Sequence, residues 1–275
     1  MQNLYSAAYA CLMQTDIEQK LQDATALYAA WQAGDLIREH TLDAVQTVAV
    51  PGRPAKPELV HHRQVKQRNI GSDAGKKALL HAVAHIEFNA INLALDAVYR
   101  FRDMPYAYYG DWLQVAAEEA YHFDLVRQRL AVFDCQYGDL PAHNGLWEHA
   151  LKTDYDAMVR MALVPRVLEA RGLDVTPPMM QRLTEVGDLE TVAVLEIILR
   201  DEIGHVRIGS RWFRYLCEQR GLEPEATFRR LLIEVLQSPV RSPFYTEGRL
   251  QAGFTAFELE QLLELERKWV QEISL

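Results

Sequence analysis

Long stretches of the chain carry apolar residues every three or four positions, with polar residues between them, which is the spacing of amphipathic helices. Strand patterns are scarce, and the short Thr-Val-Ala-Val run at 47–50 is the one weak candidate. Glycine and proline cluster between the helical stretches, at 51–57, 138–141, 172–178 and 238–253. The pattern therefore predicts an all-α protein.

The apolar periodicity predicts helices at about 4–31 (interrupted), 34–45, 73–101, 105–135, 143–171, 179–220, 224–237 and 255–273. The four longest, between 73 and 220, could each span a four-helix bundle at about 1.5 Å per residue. Short turns at 103–105 and 174–178 would make the first two and the last two of them antiparallel neighbours. We expect a single domain over 1–275, with its core bundle at about 73–220 and flanking helices at 1–72 and 221–275.

Glutamates and histidines interrupt the inward-facing apolar stripes of the four long helices. Glu87 stands in the stripe of the first, and Glu119 and His122 stand in that of the second. Converging buried carboxylates repel each other unless protons or cations neutralise them, so these positions point to metal binding. The six predicted ligands are Glu87, Glu119, His122, Glu169, Glu202 and His205.

The spacing of these residues repeats. Glu87 precedes Glu119 by 32 residues, Glu169 precedes Glu202 by 33, and each second glutamate begins a Glu-x-x-His step. A Glu from each of two helices and Glu-x-x-His from each of two others is the ligand set of ferritin-like di-iron and di-manganese proteins. Carboxylates and imidazoles suit iron or manganese better than a soft metal. We predict two iron ions, or manganese, as the cofactor.

A Glu-x-x-His step alone is weak evidence, because about one should arise by chance in a chain of this composition. A third step, Glu58 with His61, follows a proline-rich turn and lies on no long apolar stripe, so we interpret it as surface or loop. Glu169 is the least secure ligand, since other acids, Glu148 and Asp154, lie on the same predicted helix and Pro165 bends that helix. The repeated spacing selects Glu169.

Other polar residues near the predicted ligands leave alternatives open. His81 and His85 share a face offset from Glu87, so supporting or capping roles fit them better than direct ligation. Glu118 and Asp201 each precede a ligand glutamate, where a carboxylate could orient an imidazole or form an exposed ion pair. We interpret three tyrosines as packing residues without a catalytic role: Tyr108, Tyr121 and Tyr155.

Composition narrows the class of protein. With 49% apolar and 24% charged residues, the chain is typical of a soluble globular protein, and its first residues lack a secretory signal. We expect a cytoplasmic protein with no membrane partner. Cys11, Cys135 and Cys217 show no CxxC spacing and are predicted to be buried thiols. The net charge of -9 argues against a broad phosphate-binding face, so charge gives no indication of nucleic-acid binding.

At these residues the chain resembles the ferritin-like superfamily, and more closely an uncharacterised bacterial family of similar length within it. The resemblance rests on segments 51–54 (PGRP), 85–87 (HIE), 117–122 (AEEAYH), 137–141 (YGDLP), 168–174 (LEARGLD) and 201–206 (DEIGHV). The chain is more distantly similar to the di-iron tRNA hydroxylase that acts on modified adenosine, in the order of its ligands. That likeness implies oxygen activation but carries over no substrate.

Three functions follow as hypotheses. The first is an oxygen-activating oxidoreductase or hydroxylase that uses dioxygen, an electron donor of unknown type, and a small-molecule or modified-base substrate. A homo-oligomer is compatible with this function. The second is iron storage or detoxification. The third is a binding module with a structural metal, in which Arg53, Lys56 and Arg63 meet an anionic partner.

Overall fold

The computed structural model describes residues 2–39, 44–65 and 69–273, and they are almost entirely α-helical, as predicted. The sheet structure in these ranges is a two-residue parallel pair, β1 (Gln2–Asn3) with β2 (Leu36–Ile37). The strand candidate at 47–50 has no regular structure. The chain forms two compact units, Met1–Asp154 and Tyr155–Leu275, each described by itself below. The single ferritin-like domain stays a prediction.

The helices of the first unit are α1 (Leu4–Met13), α2 (Ile17–Ala33), α3 (Asp73–Arg100), α4 (Tyr106–Ala131) and α5 (Gly145–Lys152). The predicted interruption near the N-terminus is confirmed, because Asp16 caps α2 by accepting from the backbone N–H of Gln19. The predicted helix at 34–45 is wrong over its described residues. Gly34 adopts a left-handed conformation, with φ of 76°, and ends α2 before β2 begins. Residues 40–43 lie outside the described residues.

α3 and α4 form the predicted antiparallel hairpin, joined by the turn at 101–105. Near the turn, the Tyr108 hydroxyl donates to the Ala97 carbonyl at 3.4 Å, and farther from it His122 lies beside Glu87. α3 is long and apolar enough to cross a membrane by length and composition, but most of its apolar stretch is buried inside the protein. That is the pattern of a core helix in a soluble protein.

The second unit begins with α6 (Ala157–Leu163), which continues through a π-helical segment (Val164–Glu169) into α7 (Ala170–Glu185). The antiparallel α8 (Leu189–Gln219) follows, and α9 (Pro224–Leu231) runs into a second π-helical turn (Leu232–Leu236). α10 (Thr246–Gln251) and α11 (Ala256–Ile273) end the unit. The helices predicted at 224–237 and 255–273 are confirmed, while α10 was not predicted.

Two predicted boundaries around the third long helix are wrong. The helix predicted at 143–171 is broken between α5 and α6, where Asp156 caps α6 by accepting from the Met158 N–H at 2.7 Å. The turn predicted at 174–178 is helical, and the chain reverses instead at Gly187, with φ of 77°. Asp174 belongs to the buried interior of α7 because it pairs with Arg249 at 2.7 Å. The four-helix bundle stays a prediction, whereas the cysteines are buried free thiols as expected.

Candidate metal centre

α3 and α4 bring three of the predicted ligands together inside the first unit. Nδ1 of His122 lies 3.4 Å from Oε2 of Glu87 and 3.5 Å from Oε2 of Glu119. Glu87 is 4% exposed, and Glu119 and His122 are 0% exposed. Glu119 and His122 are three residues apart on α4, so helix geometry presents both on one face toward α3. One ligand atom from each of the three lies within 4.8 Å of the other two.

The electrostatics of this cluster favour a bound cation. Burial raises the pKa of Glu87 to about 8, and the neighbouring Glu119 carboxylate adds to that rise. Burial lowers the pKa of His122, but contacts with Glu119 and Glu87 outweigh it and raise that pKa to about 11. The protein alone therefore retains protons at these groups. A metal cation would stabilise the same carboxylates by taking the place of the protons.

The donor atoms fit a hard or borderline metal. Two carboxylates and one imidazole are the ligand types that suit iron and manganese. Oε2 of Glu87 is buried and accepts no hydrogen bond from the described residues, so a lone pair is available inside the protein. A buried cluster of two glutamates and a histidine could thus bind a metal ion.

The second unit contains another predicted Glu-x-x-His step, Glu202 with His205, on α8. Nδ1 of His205 lies 3.6 Å from Oε1 of Glu202, and the two residues share one helix face three positions apart. His205 is 1% exposed, and the Glu202 side chain is 12% exposed. Among the described residues, none donates a hydrogen bond to Oε2 of Glu202. This Glu-x-x-His step is therefore also turned away from solvent.

Glu169 is the last residue of the π-helical segment. Pro165 has no backbone N–H and cannot form the α-helical hydrogen bond to Met161, and the widened turn accommodates that loss. The ring of Pro165 packs on α8 at Gly209, where a Cβ would lie 2.3 Å from Cγ of the proline. Glu169 follows Pro165 by four residues and His205 precedes Gly209 by four. In an antiparallel pair, Glu169 and His205 are therefore at a similar level.

His81 and His85 support a loop rather than the predicted ligands. Nδ1 of His85 lies 2.9 Å from the Tyr137 hydroxyl, and its Nε2 lies 3.0 Å from the His143 carbonyl. Nε2 of His81 accepts from the Gly138 N–H at 2.9 Å. Both rings thus hold the chain at 137–143. These contacts are those of a loop-capping role, and whether either histidine also supports a metal ligand stays a prediction.

The carboxylates that precede the ligand glutamates make ordinary helix-surface contacts. Asp201 pairs with Arg200 at 2.8 Å, and Glu118 accepts from Gln114 at 2.8 Å. No contact of either carboxylate with an imidazole is among those described, so their role as orienting groups stays a prediction.

The remaining candidates lie outside the two ligand sets. Glu58 and His61 are exposed, and His61 caps a short turn, as the surface interpretation expects. Asp154 lies 3.9 Å from Arg100, and Glu148 is exposed. Of the tyrosines, Tyr121 and Tyr155 are exposed and Tyr108 is buried in packing.

Comparison with known proteins places the chain in a family. Residues 13–260, which include all six predicted ligands, match DUF455, described as a protein of unknown function. The chain belongs to the DUF455 family. A relative from Haemophilus influenzae, named as an uncharacterized protein, is 47% identical over 221 residues, covering 78% of this chain and 77% of that protein. No solved structure matches this DUF455 chain. Membership of the ferritin-like superfamily stays a prediction.

Proposed function

We propose that this DUF455 protein binds a pair of metal ions, iron by preference, and uses them to activate dioxygen for the oxidation of an organic substrate. The observation that carries the proposal is the buried convergence of Glu87, Glu119 and His122. The sequence repeats the same residue types in the same order at Glu169, Glu202 and His205. The proposal takes all six residues as metal ligands.

Charge balance supports two metals. The four glutamates of the two sets carry four negative charges when ionised, which two divalent cations neutralise. Fewer cations would leave a buried carboxylate that has to stay protonated, as the raised pKa of Glu87 illustrates. Bound as a pair, ferrous ions would supply the electrons that reduce dioxygen.

The residues of the first unit would position the metals and exclude water. Glu119 and His122 lie on a regular helix, so their separation is set by the backbone rather than by flexible loops. Phe88 and Phe123, next to the ligands in sequence, pack at a tilt with ring centroids 5.4 Å apart, and Tyr137 packs on both rings. We propose that this aromatic cluster helps to exclude water from the ligands, which would strengthen the charge interactions there.

The other reactants follow from the proposed reaction class. An oxygenase of this kind needs an organic substrate, for which we propose a small molecule or a modified base, and an external electron donor. A cytoplasmic location and a homo-oligomeric state complete the proposal.

The test is anaerobic loading with Fe(II), metal counting and exposure to air. We expect about two irons per native chain and an optical change that depends on oxygen. Glu119→Ala and Glu202→Ala should each bind less iron and lose that change. The matched control is His61→Ala, which removes the histidine of the exposed Glu-x-x-His step and should behave like the native chain.

Each other outcome points to a different conclusion. If both glutamate variants keep two irons, the proposed ligands are wrong. If Glu119→Ala loses metal and Glu202→Ala binds as the native chain does, the ligands assigned to the second set are wrong. Many irons per chain in a large cage would indicate storage, and bound iron without an optical change in air would indicate a structural metal.

A further inference from the structure

Arg166 is a buried cation in the π-helical segment, three residues before Glu169. It is 0% exposed, and its Nη2 donates to Oε1 of Glu258 at 2.5 Å. The guanidinium carbon lies 4.2–4.9 Å from the ring centroids of three phenylalanines: Phe213, Phe228 and Phe254. A buried charge is tolerated only with a good partner, and a flat guanidinium stacks well on aromatic rings. The Arg166 guanidinium is therefore held both by its ion pair with Glu258 and by packing on aromatic rings.

Glu258 is itself fixed by the start of α11. The Thr255 N–H donates to Oε2 of Glu258 at 2.9 Å, and the Glu258 N–H donates to the Thr255 hydroxyl at 3.0 Å. This reciprocal pair is a capping box, which holds the first turn of a helix. The ion pair thus ties the π-helical segment to an ordered helix end.

A second buried arginine holds the chain on the other side of Glu169. Nη2 of Arg249 donates to the carbonyl of Ala170 at 3.4 Å and to Oδ2 of Asp174 at 2.7 Å. The guanidinium of Arg249 also lies 5.0 Å from the Phe254 ring, which Arg166 contacts as well. The backbone is therefore held by buried arginines both before and after Glu169.

Such support is needed because the π-helical turn is not the preferred backbone state. A π turn is rare compared with an α turn and contains one extra residue. If the segment relaxed to α-helix, a shift of one residue would rotate the Glu169 side chain about the helix axis by about 100°. The Glu169 carboxylate would then point in a different direction from the helix axis.

We infer that Arg166 is a positioning residue for Glu169: paired with Glu258, it holds the π-helical segment in the register that presents the Glu169 carboxylate to metal. The inference rests on the proposed metal centre. It also assigns a role to the C-terminal helix α11, which contributes none of the six predicted ligands.

The test is a double-mutant cycle read by metal affinity. Anaerobic Co(II) binding, followed by its d–d absorption, should weaken about 10-fold to 100-fold in Arg166→Met. The d–d bands should also shift, because they report coordination geometry. In a Glu169→Ala background, the same Arg166→Met change should alter affinity less than about twofold. An equal loss in both backgrounds would overturn the inference, since Arg166 would then act on stability alone.

Two further variants keep the test decisive. Arg229→Met removes the 3.1 Å contact of Arg229 with Gln261, which joins α9 to α11 without touching the π-helical segment, and it should leave Co(II) affinity unchanged. If Arg166→Met does not fold, Glu258→Gln, which keeps the size of the side chain, replaces it in the same cycle. A native chain that binds no Co(II) or Fe(II) refutes the metal centre itself, whereas binding without coupling to Glu169 refutes only the role of Arg166.

Discussion

Gly209 offers a direct test of how closely α8 must approach the π-helical segment. A Cβ at this position would lie 2.3 Å from Cγ and 2.4 Å from Cβ of Pro165. Carbon atoms in contact are normally about 3.5–4.0 Å apart, so Gly209→Ala requires a movement of more than about 1 Å. The proline ring is rigid and cannot rotate away. The helices themselves must therefore separate.

The expected magnitude combines two opposing terms. Overpacking of this kind destabilises the folded state by about 1–3 kcal/mol, whereas replacing glycine by alanine within a helix stabilises it by about 0.5–1 kcal/mol. The central values of the two ranges leave a net loss of about 1 kcal/mol in the free energy of unfolding, which corresponds to about 2–4 °C in Tm. Co(II) affinity should fall as well, because the movement separates Glu169 from His205.

The assay is urea unfolding followed by circular dichroism, with Gly172→Ala in α7 as the matched control. A Cβ at Gly172 meets no atom within 4 Å, so that variant should gain about 0.5–1 kcal/mol from helix propensity. Opposite signs for the two glycines would support the packing argument. Gly209→Ala with native stability or better would refute it.

Three other changes have defined outcomes. Burial lowers the pKa of Lys20 to about 8 from 10.5, so above pH 8 the unfolded chain binds a proton there that the folded chain does not. The stability of the native chain relative to Lys20→Met should therefore rise by up to roughly 3 kcal/mol between pH 8 and 10.5, measured by urea unfolding, and a flat difference would contradict the buried ammonium. His81→Ala removes the acceptor of the Gly138 N–H and should cost about 1–3 kcal/mol, with faster hydrogen exchange at Gly138; unchanged exchange would speak against the capping role. Excess Mn(II) should stabilise the native chain by about 2.7 kcal/mol at a concentration of 100 times Kd, which is measured as a rise in Tm, and a chelator should reverse that rise. Glu119→Ala should show no rise in Tm, and an equal rise in that variant would argue against the site.

Local information was sufficient for the helices with long, uninterrupted apolar stripes. α3 and α4 lie close to their predicted bounds, because periodicity and turn residues are properties of neighbouring positions. α8 ends within one residue of its predicted end, but it begins at Leu189 rather than at 179. The same holds for the paired orientation of Glu119 and His122, since residues three apart on a helix share a face whatever surrounds them. The approach of Glu87 to that pair also follows from the sequence, because a short turn makes α3 and α4 antiparallel.

Helix boundaries that depend on distant contacts were not predictable in this way. Gly172, Asp174, Pro177 and Pro178 have the composition of a turn, yet α7 runs through them. The carboxylate of Asp174 is paired with Arg249, 75 residues away, and no pattern near Asp174 contains that partner. The four residues of 172–178 that favour a turn locally are outweighed by this buried contact.

The sequence by itself determined an all-α protein and the residue types of two repeated ligand sets. Only the tertiary structure decided that His81 and His85 hold a loop, that Glu169 ends a π-helical segment, and that Arg166 is buried beside it. The apolar run at 157–168 contains two arginines, Arg160 and Arg166, and their place in that run was a signal of buried charge. The physical reason is that helix periodicity is encoded by residues three or four apart, whereas a buried ion pair such as Arg166 with Glu258 joins residues 92 positions apart.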